Sequence, residues 1–288
     1  MSLLHVIILA IVQGLAELLP VSSSAHVIVA EKLMGMNPAA PETTLLLVML
    51  HTGTMFSVIV YFWRRWRRAF FQNMADFKKF AVAFVFAVVL TGIVGGVITE
   101  GIEKIVLRHV PRAWVEQLFD RLDLIAVALA AVGILILASG LLEKRTGSQE
   151  SVSSGITSVQ ASWIGAVQGL CLPFRGFSRS GATISTGMLS GVSKARSEDF
   201  SFALAVILTP VAIARETWRL VEAQHGRLGA EAASSLTFSL FGAVFAFLAG
   251  LVALKWLSRW LEKGRWYWFG VYCLLAAAAV SFLYHSGY

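Results

Sequence analysis

The sequence predicts an all-α polytopic membrane protein with six transmembrane helices and two re-entrant helix–loop–helix hairpins, arranged as an inverted-topology repeat. Three observations lead there. The composition is too apolar for a soluble domain, six stretches are long enough to cross a bilayer, and one short motif occurs twice, each time ahead of three such stretches. Hydrophobic residues make up 57% of the 288 and charged residues 14%, whereas soluble domains carry about 25% charged residues. Mean hydropathy is +0.72. A net charge of +7 and a pI near 9.7 do not argue for nucleic acid here, because excess Lys and Arg in a membrane protein anchor cytoplasmic loops. Cys171 and Cys273 lie in apolar runs, with neither a disulfide framework nor metal-ligand spacing. No basic n-region precedes the first apolar run, so no cleavable signal peptide is expected.

Taken in order, the first apolar stretch, 3–19, is short and breaks into the polar loop PVSSSAH before a second short helix; the pair forms a hairpin over 3–35. Spans follow near 44–63, 80–99 and 122–142. The pattern then recurs as a short stretch at 157–173, a loop rich in Ser, Gly and Arg, and a hairpin over 157–193. Spans near 199–218, 236–257 and 266–284 complete the chain. About 20 apolar residues are needed to cross the hydrocarbon core, and the six spans approach that length. The hairpins fall short of it. Non-helical backbone at membrane depth survives only inside protein or beside a watery cavity, which is the re-entrant condition. The chain is one integral membrane domain, 1–288, with repeats at about 1–143 and 156–288.

Charge orients the spans. Segment 63–79 holds six Lys/Arg against one Asp and is expected in the cytoplasm. Alternation then places 143–198, with Lys144, Arg145, Lys194 and Arg196, and 255–265, with Lys255, Arg259, Lys263 and Arg265, on the same side. Loops near 100–121 and 219–235 and both termini fall outside. The tryptophans at span ends, Trp63, Trp66, Trp256, Trp260, Trp266 and Trp268, suit an interfacial belt.

The repeat is carried by VQGL, at 12–15 and again at 167–170, an offset of 155 (12 to 167) that also lays Ser178 on Ser23. Three spans follow each hairpin. Three is odd, so the second unit enters from the opposite face and the two loops meet near the midplane.

Read together, the loops form an anion site. Gln13 and Glu17 are four residues apart and share a helix face. Ser22, Ser23, Ser24 and His26 follow them. The second loop supplies Arg175, Ser178, Arg179, Ser180 and Thr183. Ionisable groups inside a bilayer are costly and mark pairs or pathways. Arginines, loop N–H groups and hydroxyls at a helix start suit phosphate. A carboxylate beside phosphate calls for a hard divalent cation between them. His26 suits proton transfer near neutral pH, and a serine in that field can be a nucleophile or a phosphate donor.

These residues resemble the bacterial undecaprenyl-pyrophosphate phosphatase family, also known as the bacitracin-resistance protein family. QGLAELLPVSSSAH resembles its first motif, RGFSRSGATI its second, and SEDFSFALAVILTP the opening of the next span. The resemblance covers essentially the whole chain. It implies hydrolysis of undecaprenyl diphosphate to the monophosphate and inorganic phosphate, which recycles the lipid carrier of peptidoglycan synthesis and bears on cell-wall biogenesis, cell shape and bacitracin resistance. It implies a divalent metal, Mg²⁺ or Ca²⁺, held by Glu17 with Gln13, and a bacterial inner-membrane location with the site opening to the periplasm. By position, Ser23 matches the nucleophile, Glu17 the essential glutamate, His26 the motif histidine and Arg179 the phosphate-gripping arginine. Ser178, Ser180 and Thr183 fill the second motif. Arg175 stands where proline is usual, Phe177 where a small residue is usual and Ala25 where glycine is usual. Arg175 is either a second phosphate contact or the sign of a divergent substrate.

Plainer readings stand beside these. Ser22 and Ser24 would cap a helix starting near Ala25, a contribution of about 1 kcal/mol. His26 would be a satisfied interior histidine, and Glu17 a structural partner of an arginine. His51 reads as cavity lining or packing rather than catalysis. The membrane lipid and the polyprenyl diphosphate are the expected partners, and a homodimer is compatible with the sequence. A different class of function, a transporter or flippase of a lipid phosphate or small anion, would use the same inverted-repeat site, but has no use for the glutamate, serine and histidine together.

Overall fold

Ser2 starts the first helix by accepting a 3.3 Å hydrogen bond from the backbone N–H of His5, and the helix that follows, α1 (Leu3–Leu18), ends at a four-residue turn before α2 (Ser23–Leu33). The computed structural model describes residues 2–37, 41–106, 118, 119, 121–146, 155–223 and 230–287. Three long helices come next: α3 (Pro41–Phe70), α4 (Met74–Gly101, continued as a π-helical turn over 102–106) and α5 (Leu122–Thr146). The order then recurs as a short pair, α6 (Ser158–Cys171) and α7 (Arg179–Leu189), followed by α8 (Lys194–Ala223), α9 (Ala230–Glu262) and α10 (Tyr267–His285). Among the described residues there are no strands. Six helices, α3, α4, α5, α8, α9 and α10, are long and apolar enough to cross a membrane, and each contains one predicted span. The expected outer loops, 100–121 and 219–235, and the side chains of Lys144 and Arg145 lie largely outside the described residues.

Local sequence explains the ends. Thr157 and Gln160 form a reciprocal capping box at the start of α6, with 3.3 Å and 2.9 Å bonds. Asn73 caps α4 and Ser178 caps α7. The second helix of each short pair is 11 residues long and stops in the same way. Met36 N–H reaches Glu31 C=O at 2.9 Å, and Val192 N–H reaches Gly187 C=O at 2.9 Å. The residue that makes each reversal is a glycine with positive φ, Gly35 at 66° and Gly191 at 79°, a conformation that a Cβ disfavours.

The two pairs also pack alike, each on the other half of the chain. Helix α1 lies along α9, α6 along α4, and α5 along α10. Gly14 and Gly169, the matched glycines of VQGL, sit at the first two contacts. A Cβ on Gly14 would come within 2.7 Å of the Ala246 carbonyl, and one on Gly169 within 2.9 Å of the Thr91 carbonyl. Backbones this close are how helices associate where lipid removes the hydrophobic drive. The 155-residue offset thus holds for the first helices. It becomes 156 in the second (23 to 179), because the turn between α6 and α7 is three residues longer than that between α1 and α2 (7 − 4) while α6 is two residues shorter than α1 (16 − 14). Ser22 is therefore the counterpart of Ser178 as the residue before the helix, and Ser23 is the counterpart of Arg179.

Large apolar side chains face outward along α4 and α9, among them Val85, Phe86, Val89, Phe241, Val244 and Val252. In water such a face would drive association; in a multi-pass membrane protein lipid covers it. At one end of the bundle a buried ionic cluster joins three helices. Arg65 Nη1 of α3 is 2.9 Å from Glu198 Oε2 and its Nε is 3.0 Å from Asp199 Oδ1, both on α8. Ser258 of α9 donates to Glu198 at 2.6 Å. Lys194 pairs with Glu143 nearby. The basic ends of α3, α5, α8 and α9 therefore lie on one side, as their charge suggested. Two of the six expected belt tryptophans are core residues instead. Trp66 Nε1 donates to Asp199 C=O at 3.1 Å, and the fully buried Trp266 donates to Ser139 and Ser185. An indole N–H that finds an acceptor inside no longer needs the interface. Replacing Arg65 by Met leaves Glu198 and Asp199 buried without their cation. It should lower stability in detergent by about 3 kcal/mol, and an unchanged thermal midpoint would show that the cluster does not hold the helices.

Candidate active site

Glu17 ends α1 and faces the junction of α1, α2, α3 and α7. Gln13, one turn earlier, donates from Nε2 to Glu17 Oε2 at 3.1 Å. Ser23, the first residue of α2, donates to the same oxygen at 2.5 Å. Arg179, the first residue of α7, donates from Nη2 to Oε1 at 3.0 Å. His51 Nε2, from α3, is 3.7 Å from Oε2. A carboxylate largely removed from solvent thus meets a cation, two donors and an imidazole. Such pairing is what makes an ion tolerable there. Arg179 is not used up by the contact: its Nη1 is buried and has no acceptor. Buried guanidinium N–H groups rarely go without an acceptor, and a phosphate oxygen is a fitting one.

The turn that presents Ser23 is tightly held. Ser22 has φ 68° and ψ 95° and is the sole non-glycine with positive φ among the described residues. Its side chain does not cap α2, unlike the expected role. Instead its Oγ lies 3.2 Å from Ser24 Oγ. Helix α2 starts at Ser23, two residues before the expected Ala25. Ser180 Oγ donates to Leu19 C=O at 3.2 Å, and Gly176 N–H to Ser24 Oγ at 3.4 Å, so the second loop braces the first. Backbone strain kept in place by surrounding contacts is a common feature of functional sites.

The remaining predicted residues have definite places. Ser178 caps α7, bonding Gly181 N–H at 3.3 Å and approaching Ser180 Oγ at 3.4 Å. Thr183 is fully buried and binds Arg179 C=O at 2.8 Å and Ser201 Oγ at 2.6 Å, tying α7 to α8. The Arg175 guanidinium lies 4.6 Å over the Phe119 ring and is electrostatically coupled to Glu31 of α2. His26 turns away from Ser23: its Nδ1 is 2.7 Å from Ser22 C=O and its Nε2 is 2.6 Å from the Tyr272 hydroxyl of α10. A carbonyl only accepts, so Nδ1 carries the proton, and in neutral His26 the Tyr272 O–H donates to Nε2.

Among the described residues no three of His, Cys, Asp and Glu come together as a metal cage. At Glu17 the Gln13 amide presents its nitrogen, so the oxygens gathered there are one carboxylate and the Ser23 hydroxyl. Those groups would hold Mg²⁺ or Ca²⁺ only with the Gln13 amide turned over and substrate phosphates completing the shell.

A family model described as bacitracin resistance protein BacA matches residues 6–279. This chain belongs to that family. It is 55% identical over 283 residues to undecaprenyl-diphosphatase 2 of Acinetobacter baylyi, covering 97% of each chain. It is 30% identical over 284 residues to undecaprenyl-diphosphatase of Rhodopirellula baltica, covering 98% of each, and 32% identical over 289 residues to the one from Christiangramia forsetii, covering 99% of each. The two motifs that signalled the BacA family in the sequence are the ones that meet at Glu17. Two residues at the site were not assigned to it from sequence. His51 had a visible signal, an ionisable group inside an apolar span; Tyr272 had none, because tyrosines are common in membrane helices.

Strain at Ser22 has a direct consequence. Ser22→Gly should raise the thermal stability of the protein in detergent, by about 1 kcal/mol, whereas Ser22→Val should lower it. A Ser22→Gly protein no more stable than wild type would remove strain from the account of this turn.

Proposed function

We propose that this protein is an undecaprenyl-diphosphate phosphatase that releases inorganic phosphate from the lipid carrier and returns the monophosphate for another round of cell-wall synthesis. The relatives that carry this activity in their names match it end to end. The observation that carries the reading is Arg179, with one end on Glu17 and a buried Nη1 lacking an acceptor, placed beside a serine already hydrogen-bonded to a carboxylate.

In this reading the distal phosphate seats on Arg179. Ser23 Oγ attacks its phosphorus while the hydroxyl proton passes to Glu17. The new O–P bond forms as the bond to polyprenyl monophosphate breaks, and water then cleaves the phosphoserine. Gln13 holds Glu17 in place, and the His51 ring stands beside it at 3.7 Å. Ser178, Ser180 and Thr183 fix the helix start that aims Arg179. A divalent cation, Mg²⁺ or Ca²⁺, held by Glu17 and Gln13, would neutralise charge on the phosphates. A carrier would use the same arginine but would gain nothing from a 2.5 Å serine–carboxylate bond. The test is phosphate release from polyprenyl diphosphates by purified protein, lost with excess EDTA. Arg179→Lys should lose turnover by about two orders of magnitude, because an ammonium cannot reproduce the planar fork. Ser23→Ala should lose at least as much while remaining folded. Full activity in EDTA would remove the metal, and an active Ser23→Ala would favour direct attack by water.

The membrane arrangement belongs to the same proposal. The two short pairs are re-entrant hairpins, the halves at about 1–143 and 156–288 are inverted repeats, and the chain sits in the bacterial inner membrane with its basic ends inside and its site open to the periplasm. The shared capping and the crossed packing of α1 and α6 support this. Cysteines at the exposed Gln72 and Ser286 should label from opposite sides with an impermeant reagent, and labelling from one side would overturn the inverted repeat.

A further inference from the structure

On the flank of the molecule a groove of about 330 Å³ runs between α2, α5 and α10. Its walls are apolar, formed by residues such as Val29, Leu129, Leu275, Ala276, Ala279 and Leu283. The polar residues lining it are His26 and Tyr272, joined by the 2.6 Å hydrogen bond with their rings stacked at 5.7 Å and 12°. From Tyr272 to Leu283 the groove follows 11 residues of α10 (283 − 272), about 16 Å at the helical rise. A long apolar trough with one polar end has the shape and chemistry of an amphiphile.

The polar end adjoins the turn that carries Ser23. His26 is three residues past Ser23 on α2, and its Nδ1–H holds the carbonyl of Ser22, the residue just before Ser23. The groove therefore begins two to three residues along α2 from Ser23, at Ala25 and His26. A polyprenyl diphosphate bound through its distal phosphate has to lead its hydrocarbon chain away from that point, over apolar surface. We propose that this groove seats the polyprenyl chain where it leaves the diphosphate, while the distal phosphate rests against Arg179. The inference rests on the phosphatase reading above and adds the seat of the chain. Tyr272, by donating to Nε2, closes the polar end of the groove with His26.

The decisive experiment uses the wild-type protein in detergent and a polyprenyl diphosphate carrying a diazirine on the isoprene unit next to the diphosphate. After irradiation, mass spectrometry should place the label within 25–29 or 272–283. Excess unmodified polyprenyl diphosphate should remove the label, and excess phosphatidylglycerol should not. Label on α4 or α9, or equal displacement by phosphatidylglycerol, would overturn the proposal, the second outcome marking the groove as an ordinary lipid contact. A second arm fills the groove with Ala279→Phe, at an exposed position. The ratio of kcat/KM for a long-chain over a short-chain allylic diphosphate should fall by about tenfold or more; a ratio within about twofold of wild type would also count against it. Wild-type protein that released no phosphate from either substrate would instead refute the phosphatase reading, and the label position would still decide the groove.

Discussion

Everything at the centre of this protein depends on making one carboxylate tolerable away from water. Glu17 sits at the end of a short helix, where a lone ion would be strongly disfavoured. Its partners come from four helices, and the one opposite charge, Arg179, comes from the other half of the chain. Neither short helix pair could hold its charged residue alone. The ion pair thus requires both turns to arrive at the same place, and it leaves Arg179 with a buried N–H without an acceptor.

The scaffold that brings the turns together is crossed. Helix α1 packs against α9 and α6 against α4, through matched glycines that allow backbone contact. At the far end, the Arg65–Glu198–Asp199 cluster binds α3 to α8, with Ser258 bringing in α9. Rigid packing on one side and a strained turn at Ser22 on the other place Ser23 Oγ 2.5 Å from the Glu17 carboxylate. The strain and the short contact belong together: the turn is held by Ser180, Gly176 and the Cys273 thiol, which donates to Pro20 C=O at 3.3 Å.

His26 shows how a motif residue can have a different partner from the one its spacing suggests. One turn past Ser23, it would be expected to look toward the same phosphate. In the fold it reaches across to Tyr272, some 250 residues away in sequence (272 − 26 = 246), and forms the polar end of an apolar groove. Two polar pairs lie near the start of α2, Glu17 with Arg179 and His26 with Tyr272, the second at the end of an apolar groove. A diphosphate joined to a hydrocarbon chain has the same division.

Much of this was legible in the residues. Span number and position follow from apolar length, and Glu17, Ser23 and Arg179 stand out because charged or hydroxyl-rich loops in an apolar chain need a reason to be there. The cost of placing each side chain in lipid is a property of that residue and its near neighbours, so it can be read along the chain. Partner choice cannot. That His51 would stand 3.7 Å from Glu17, that Tyr272 would take His26, and that Trp66 and Trp266 would leave the interface for acceptors inside were all decided by tertiary packing. Each is a contact between distant segments whose distance is set by how the helices cross, and no local pattern carries that geometry.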